Sequence, residues 1–254
     1  MNDSLKPAKL YITAGYPASG KTTVSEQLAA VTGAKIIRTD DMRKELFPVE
    51  INYFGSNPGY LPAPEMLEKW IDSNDGEGID FQQVVNPLAE LGGTYLKVAE
   101  KYAPKIKEQK SKVYGTAFEM LDKNLSEGLD TIFDAAFSKK DMRDRVYDIA
   151  SKNGIDDVYI IQVVCSEDVV KSRLEARANG SAGAVTSNAK QLDVYRIVKK
   201  EFDQSQIESD KPGVNLMRFV YPTDTHKTEL YGAPDSVTRM IQSKVLGALT
   251  EKYR

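Results

Sequence analysis

The 254-residue chain is 41% hydrophobic and 28% charged, with a formal net charge of −3 and an isoelectric point near 5.5. That balance belongs to a globular protein with a real core, and it lacks the basic excess of a dedicated nucleic-acid binder. The single cysteine, Cys165, cannot form an internal disulfide, and one thiol beside one histidine, His226, argues against a Cys/His zinc site.

The length admits one α/β domain, or one domain carrying a large insertion. Neither a cationic stretch followed by an apolar run at the start nor 18 consecutive uncharged apolar residues is present. We therefore expect a cytoplasmic protein without a membrane span.

Five short apolar, β-branched runs read as strands in chain order: Lys9 to Ala14, Ala34 to Arg38, Leu129 to Ala135, Asp157 to Cys165 and Asn215 to Tyr221. Several are apolar on consecutive positions, as strands covered on both faces must be. Periodic stretches predict helices over Lys21 to Val31, with Val24, Leu28 and Val31 on one face, and over Tyr114 to Glu127, Lys139 to Lys152, Glu167 to Ala178, Ser187 to Ser205 and Asp235 to Leu249. Between the second and third strands the pattern changes. A Gly/Pro-rich start gives way to helical regions at Glu65 to Asp72 and Phe81 to Leu91, a turn at Asp75 to Gly78 lying between them, and a lysine-rich Tyr95 to Lys112 follows. The expected architecture is a doubly wound α/β three-layer sandwich, with a five-stranded, mostly parallel sheet and helices on both faces. It would form a single domain over 1–254, with a mostly helical insertion at 47–112 on the acceptor side and a lid region at 173–205.

Gly15-Tyr16-Pro17-Ala18-Ser19-Gly20-Lys21-Thr22 matches G-x-x-x-x-G-K-[ST] at every fixed position, after a predicted strand and at the start of a predicted helix. The glycines let backbone N–H groups converge on a phosphate, and the helix adds the positive end of its dipole. Lys21 would bridge the β- and γ-phosphates and the Thr22 hydroxyl would ligate Mg2+. Gly15 to Thr22, together with Thr23, are the expected nucleotide-binding residues.

The third strand ends on Asp134, which either helps hold magnesium or caps the next helix. Ala135 follows it where many motor ATPases place a water-activating glutamate, and no Asn-Lys-x-Asp guanine-reading motif is present, so transfer to an acceptor is favoured over hydrolysis or GTP switching. Asp40-Asp41-Met42-Arg43 comes at the end of the second strand. A carboxylate there can accept the proton of an attacking hydroxyl and the arginine can hold an anionic group, or the segment is an ordinary acidic helix start. Arg173 and Arg177, four apart, share a helix face and either converge on a phosphate chain or pair with neighbouring acids. Gly180 to Ala184 beyond them reads as a lid tip. The lysines and tyrosines of Tyr95 to Lys112 read better as a solvated helix face than as a base-stacking surface, because Glu100 and Glu108 are interleaved.

Taken together, the Pro-Ala-Ser-Gly-Lys-Thr loop, Asp-Asp-x-Arg, the apolar run into Asp-Ala-x-Phe and the Arg-x-x-x-Arg lid resemble the P-loop kinase group of polynucleotide 5′-hydroxyl kinases, zeta toxins and chloramphenicol phosphotransferase, with an AAA-type ATP-binding domain. The resemblance covers about Lys9 to Cys165 without the insertion and continues to about Phe202. It implies Mg2+ and ATP, with Asp40 as general base, Arg43 and Asp41 at the acceptor, and Arg173 and Arg177 on the ATP phosphates. Among acceptors the acidic charge favours a small molecule over a nucleic-acid 5′ end. An ATP-gated binding protein with little turnover is the reading from a different class. The insertion, larger than the group would imply, leaves the acceptor open.

Overall fold

The structure, a computed structural model, describes residues 8–48, 62–73, 78–178, 192–208, 211–225 and 229–231. In chain order the elements are β1 (Leu10–Ala14), α1 (Lys21–Thr32), β2 (Lys35–Arg38), α2 (Thr39–Leu46), α3 (Pro64–Ser73), α4 (Phe81–Leu91), α5 (Gly93–Ser126), β3 (Thr131–Asp134), α6 (Lys140–Lys152), β4 (Asp157–Val164), α7 (Glu167–Ala178), α8 (Leu192–Ser205), β5 (Asn215–Pro222) and β6 (Glu229–Tyr231). They fall into two compact units, one within Met1–Arg38 and Phe118–Arg254 and the other within Thr39–Ala117.

The first unit is built on a sheet of order β2-β3-β1-β4-β5-β6. The five predicted strands all form and run parallel, the central ones β1 and β3 buried at every position. All five residues of β1 are buried. A sixth strand, antiparallel to β5, was not expected from the sequence. At three residues it is too short to show a period of its own.

Side chains alternate across the sheet and build a core on each face. On one face Val24 and Leu28 of α1 pack with Tyr11, Ile132, Tyr159, Ile161 and Phe219. On the other, Phe118 from the end of α5 meets Phe133 edge-on at 5.7 Å, and Arg145 of α6 lies over the Phe118 ring at 4.4 Å. Helices on both faces give the expected three layers. Val31, assigned to the apolar face of the first helix, is instead exposed near its end.

The second unit has its own core, made by i, i+4 pairs from three helices: Leu67 and Ile71 of α3, Val84 and Leu88 of α4, Val98 and Tyr102 of α5. Asp80 caps α4 by accepting from the Gln82 N–H at 3.1 Å. The regions read as separate helices at Tyr95 to Lys112 and Tyr114 to Glu127 are one continuous 34-residue helix, α5, with Pro104 inside it. Its tyrosines turn inward. Tyr102 stacks on Phe81 at 5.6 Å and donates to Asp72, while Tyr95 donates to the Pro62 carbonyl. Burial, aided by the Asp72 carboxylate, pushes the Tyr102 phenol up to about 12. Lys101 bridges Glu68 and Asp72 on the surface at 2.6 and 2.9 Å.

The Gly180 to Ala184 lid tip, the start of the helix expected from Ser187, most of the Asp75 to Gly78 turn, His226 and the expected Asp235 to Leu249 helix lie outside the described residues.

Candidate nucleotide-binding site

Strand order decides where a ligand can enter. From β1 the sheet grows to one side through β3 and β2 and to the other through β4 and β5, which opens a crevice at the carboxyl end of β1. The loop between β1 and α1 lies there. Gly15 has φ 153°, and a Cβ on it would stand 2.3 Å from the Val163 carbonyl oxygen, so no side chain fits. Gly20, at φ 101°, is the N-cap of α1 and offers no capping side chain. The first turn of α1 also lacks an acidic residue, so the positive helix end carries no internal counter-charge.

A second feature marks the loop as built for a ligand. The Ser19 hydroxyl is fully buried and, among the described residues, has no hydrogen-bond partner. A buried hydroxyl left unmatched is costly, and an anionic oxygen would satisfy it. Lys21 folds back so that Nζ donates to the Tyr16 carbonyl at 3.0 Å, beside the loop. Glycine cradle, uncapped helix end, orphaned hydroxyl and lysine together fit a phosphate chain.

The loop is anchored from the segment that follows the neighbouring strand β4. The Tyr16 hydroxyl donates to the Cys165 carbonyl at 2.7 Å and accepts from the Cys165 N–H at 2.9 Å. Its ring meets Tyr195 of α8 edge-on at 5.0 Å. Burial raises the Tyr16 phenol well above its ordinary value. Burial also pushes the Cys165 thiol up, against the opposing pull of Arg173. Arg173 of α7 reaches the loop itself, its Nη1 donating to the Ala18 carbonyl at 2.9 Å and to the Thr223 hydroxyl at 3.0 Å. Arg177, one turn later on α7, is partly buried.

Asp134 ends β3 level with Thr13 of β1 and is 4% exposed. It does not cap the next helix, because α6 begins at Lys140 with Lys139 as its N-cap. Arg38, which sequence reasoning did not single out, donates through Nε to Asp134 Oδ2 at 3.1 Å and reaches Glu26 of α1 at 3.4 Å. The signal was weak, since Arg38 follows two isoleucines at the carboxyl end of β2 but the strand also opens on Lys35, and its partner is 96 positions away. Among the described residues no group of three or more His, Cys, Asp or Glu side chains could hold a metal. Thr22 at the start of α1 and Asp134 at the end of β3 are the oxygen-bearing side chains that would hold a magnesium ion.

Asp40, Asp41 and Arg43 belong to the second unit, on α2. Asp40 and Asp41 both lie in the first turn of α2, so the acidic helix start expected as the alternative is present, with Asp40 one residue inside the helix. Arg43 Nη1 donates to Asp40 Oδ1 at 2.9 Å across one turn, and Asp41 is exposed.

This sheet order with this loop defines a P-loop protein with the kinase-like α/β fold. The chain belongs to the AAA_33 family, an AAA domain family that residues 10–198 match. A search of curated proteins returned no match. Among solved structures, a candidate kinase of Chloroflexus aurantiacus is similar over 94% of this chain and 99% of its own, at 16% identity and a TM-score of 0.52. A sugar kinase of a Janibacter species matches over 94% and 95% at 14% identity and TM-score 0.46, and a structure from the PezAT toxin-antitoxin system of Streptococcus pneumoniae over 93% and 78% at 12% and 0.48. At 16% identity the first of these likenesses speaks to the fold alone. Among the described residues no helix is long and apolar enough to cross a membrane.

Proposed function

We propose that the protein is a kinase that transfers the γ-phosphate of ATP to a hydroxyl group of a small-molecule acceptor. The observation that carries this reading is the buried Ser19 hydroxyl, without a hydrogen-bond partner among the described residues, in a loop where a side chain at Gly15 has no room. Gly15 to Gly20 hold the phosphates through backbone N–H groups, and Thr22 and Thr23 lie at the helix end beside them. Lys21, Arg173 and Arg177 neutralise the charge of the transferring phosphoryl group. Thr22 and Asp134 would hold magnesium, which supplies further neutralisation of the phosphate oxygens when bound.

In the reaction, the acceptor oxygen forms a bond to the γ-phosphorus as the bond from that phosphorus to the β–γ bridging oxygen breaks. Asp40 takes the acceptor proton, and Arg43, which already orients the Asp40 carboxylate, shares acceptor binding with Asp41. Catalysis of this kind rests on positioning and electrostatics rather than on covalent chemistry by the protein. In this reading the helical insertion at 47–112 serves the acceptor and the region 173–205 acts as a lid.

The test is a pair of variants, with calorimetry for binding and labelled ATP for transfer to a panel of sugars, nucleosides, nucleotide sugars and 5′-hydroxyl oligonucleotides. Asp40→Asn should bind Mg-ATP like the parent while its transfer falls by about a hundredfold or more. Lys21→Ala should lose both. If Asp40→Asn loses binding and transfer equally, Asp40 is not the base. If no acceptor is phosphorylated, the protein is a nucleotide-gated binder rather than a kinase.

A further inference from the structure

The phosphate loop shows two consecutive carbonyls held from outside, and one of the groups holding them has no role in the reading above. Thr223 follows β5. Its N–H donates to the Val164 carbonyl at 2.9 Å, which continues the β4–β5 pairing by one residue and fixes the backbone there. Its hydroxyl donates to the Ser19 carbonyl at 2.7 Å and accepts from Arg173 Nη1 at 3.0 Å. The same Arg173 nitrogen donates to the Ala18 carbonyl at 2.9 Å. The Thr223 methyl would lie 3.1 Å from a Cβ on Gly20, so it closes off the outer side of that glycine.

A peptide unit is planar and trans, so its carbonyl and the following N–H point in opposite directions. Holding the Ser19 carbonyl outward on Thr223 therefore aims the Gly20 N–H the other way, toward the inside of the loop. Holding the Ala18 carbonyl on Arg173 does the same for the Ser19 N–H, which faces the Tyr16 carbonyl at 3.3 Å, the oxygen that also receives Lys21. Positive φ at Ala18, a non-glycine residue, leaves the backbone there in a sparsely populated conformation that the surrounding contacts must maintain.

We infer that Thr223 is a positioning residue for phosphate binding: together with Arg173 it clamps the outer carbonyls of Ala18 and Ser19 and so presents the Gly20 N–H to the phosphates. The inference rests on the nucleotide-binding reading and deepens it. It gives Arg173 a task, orienting the loop, distinct from contacting phosphate. It also separates Thr223 from any contact with the nucleoside, because the hydroxyl is committed to the loop.

The experiment is calorimetric titration of the full chain with Mg-ATP and, separately, with magnesium tripolyphosphate, which carries no base or sugar. Thr223→Val keeps the shape and removes the hydroxyl, and should weaken both ligands by roughly five- to tenfold, the order of one hydrogen bond. Thr223→Ser restores the donor and should bind both within about twofold of the parent. Thr223→Ala is measured with the same expectation if Thr223→Val does not fold. The inference is overturned if Thr223→Val binds like the parent, if Thr223→Ser is as weak as Thr223→Val, or if ATP weakens while tripolyphosphate does not. A parent protein that binds neither ligand overturns instead the nucleotide-site reading on which the clamp depends.

Discussion

Arg143 shows how a single residue can support a site it does not enter. It is fully buried, donating to the Phe137 carbonyl at 2.8 Å, the Gln206 carbonyl at 2.7 Å and both oxygens of Glu208 at 2.9 and 2.7 Å. Phe137 lies in the segment after Asp134 with φ 52°, and the neighbouring Ala136 carbonyl accepts from the Gly15 N–H at 3.1 Å. The pair thus steadies the segment that joins Asp134 to the phosphate loop. Burial alone would raise the Glu208 carboxyl, but hydrogen bonds led by those from Arg143 hold it below the ordinary 4.5. A depressed carboxylate stabilises the fold above its unfolded value and loses that contribution as pH falls through the folded one. Glu208→Gln should therefore cost about 3 kcal/mol at pH 7, because it leaves a buried arginine without its counter-charge. Its unfolding free energy should also fall less than the parent's as pH drops below 4.5. Urea unfolding at a series of pH values checks both, and parallel acid limbs would contradict the assignment.

At the scale of elements, α5 is the most informative departure from the periodicity reading. Pro104 removes one N–H from the helical ladder and its ring crowds the preceding turn, yet the helix continues through it. Packing on both sides explains why: Val98, Ala99 and Tyr102 before the proline and Val113 and Ala117 after it are buried. Local propensity argues for a break and tertiary burial overrides it. Pro104 itself is exposed, so Pro104→Ala should raise stability by about 1–3 kcal/mol without altering the core. A lower urea midpoint would show that the proline is needed where it stands. The sixth strand teaches the same lesson in reverse, since three residues carry no pattern and only the open edge of β5 turns them into a strand.

For the molecule as a whole, a ligand that binds only the folded state must stabilise it by mass action. At a hundredfold excess of Mg-ATP over its Kd the gain is about 2.7 kcal/mol, which for a chain of this size raises Tm by about 5 to 10 °C. Scanning calorimetry should show this shift for the parent and lose it in Lys21→Ala. Chelating magnesium should reduce it, since Thr22 and Asp134 would then act without the metal. An unchanged Tm at saturating nucleotide would count against the site.

The parts legible in the sequence are those whose cause is local. Continuous apolar runs identify the five parallel strands, 3.6-residue periodicity identifies the helices flanking them, and a glycine turn between strand and helix marks the phosphate loop. What only the tertiary structure decided are pairings between residues distant in the chain: Arg38 with Asp134, Thr223 with Ser19 at a separation of 204 residues, and Arg143 with Glu208. The sheet order permutes the strands, so residues far apart in the chain meet at one edge, and no period or motif records which of them will face each other. The Ser19 hydroxyl, buried without a partner among the described residues, is likewise a feature of the folded loop that no motif records.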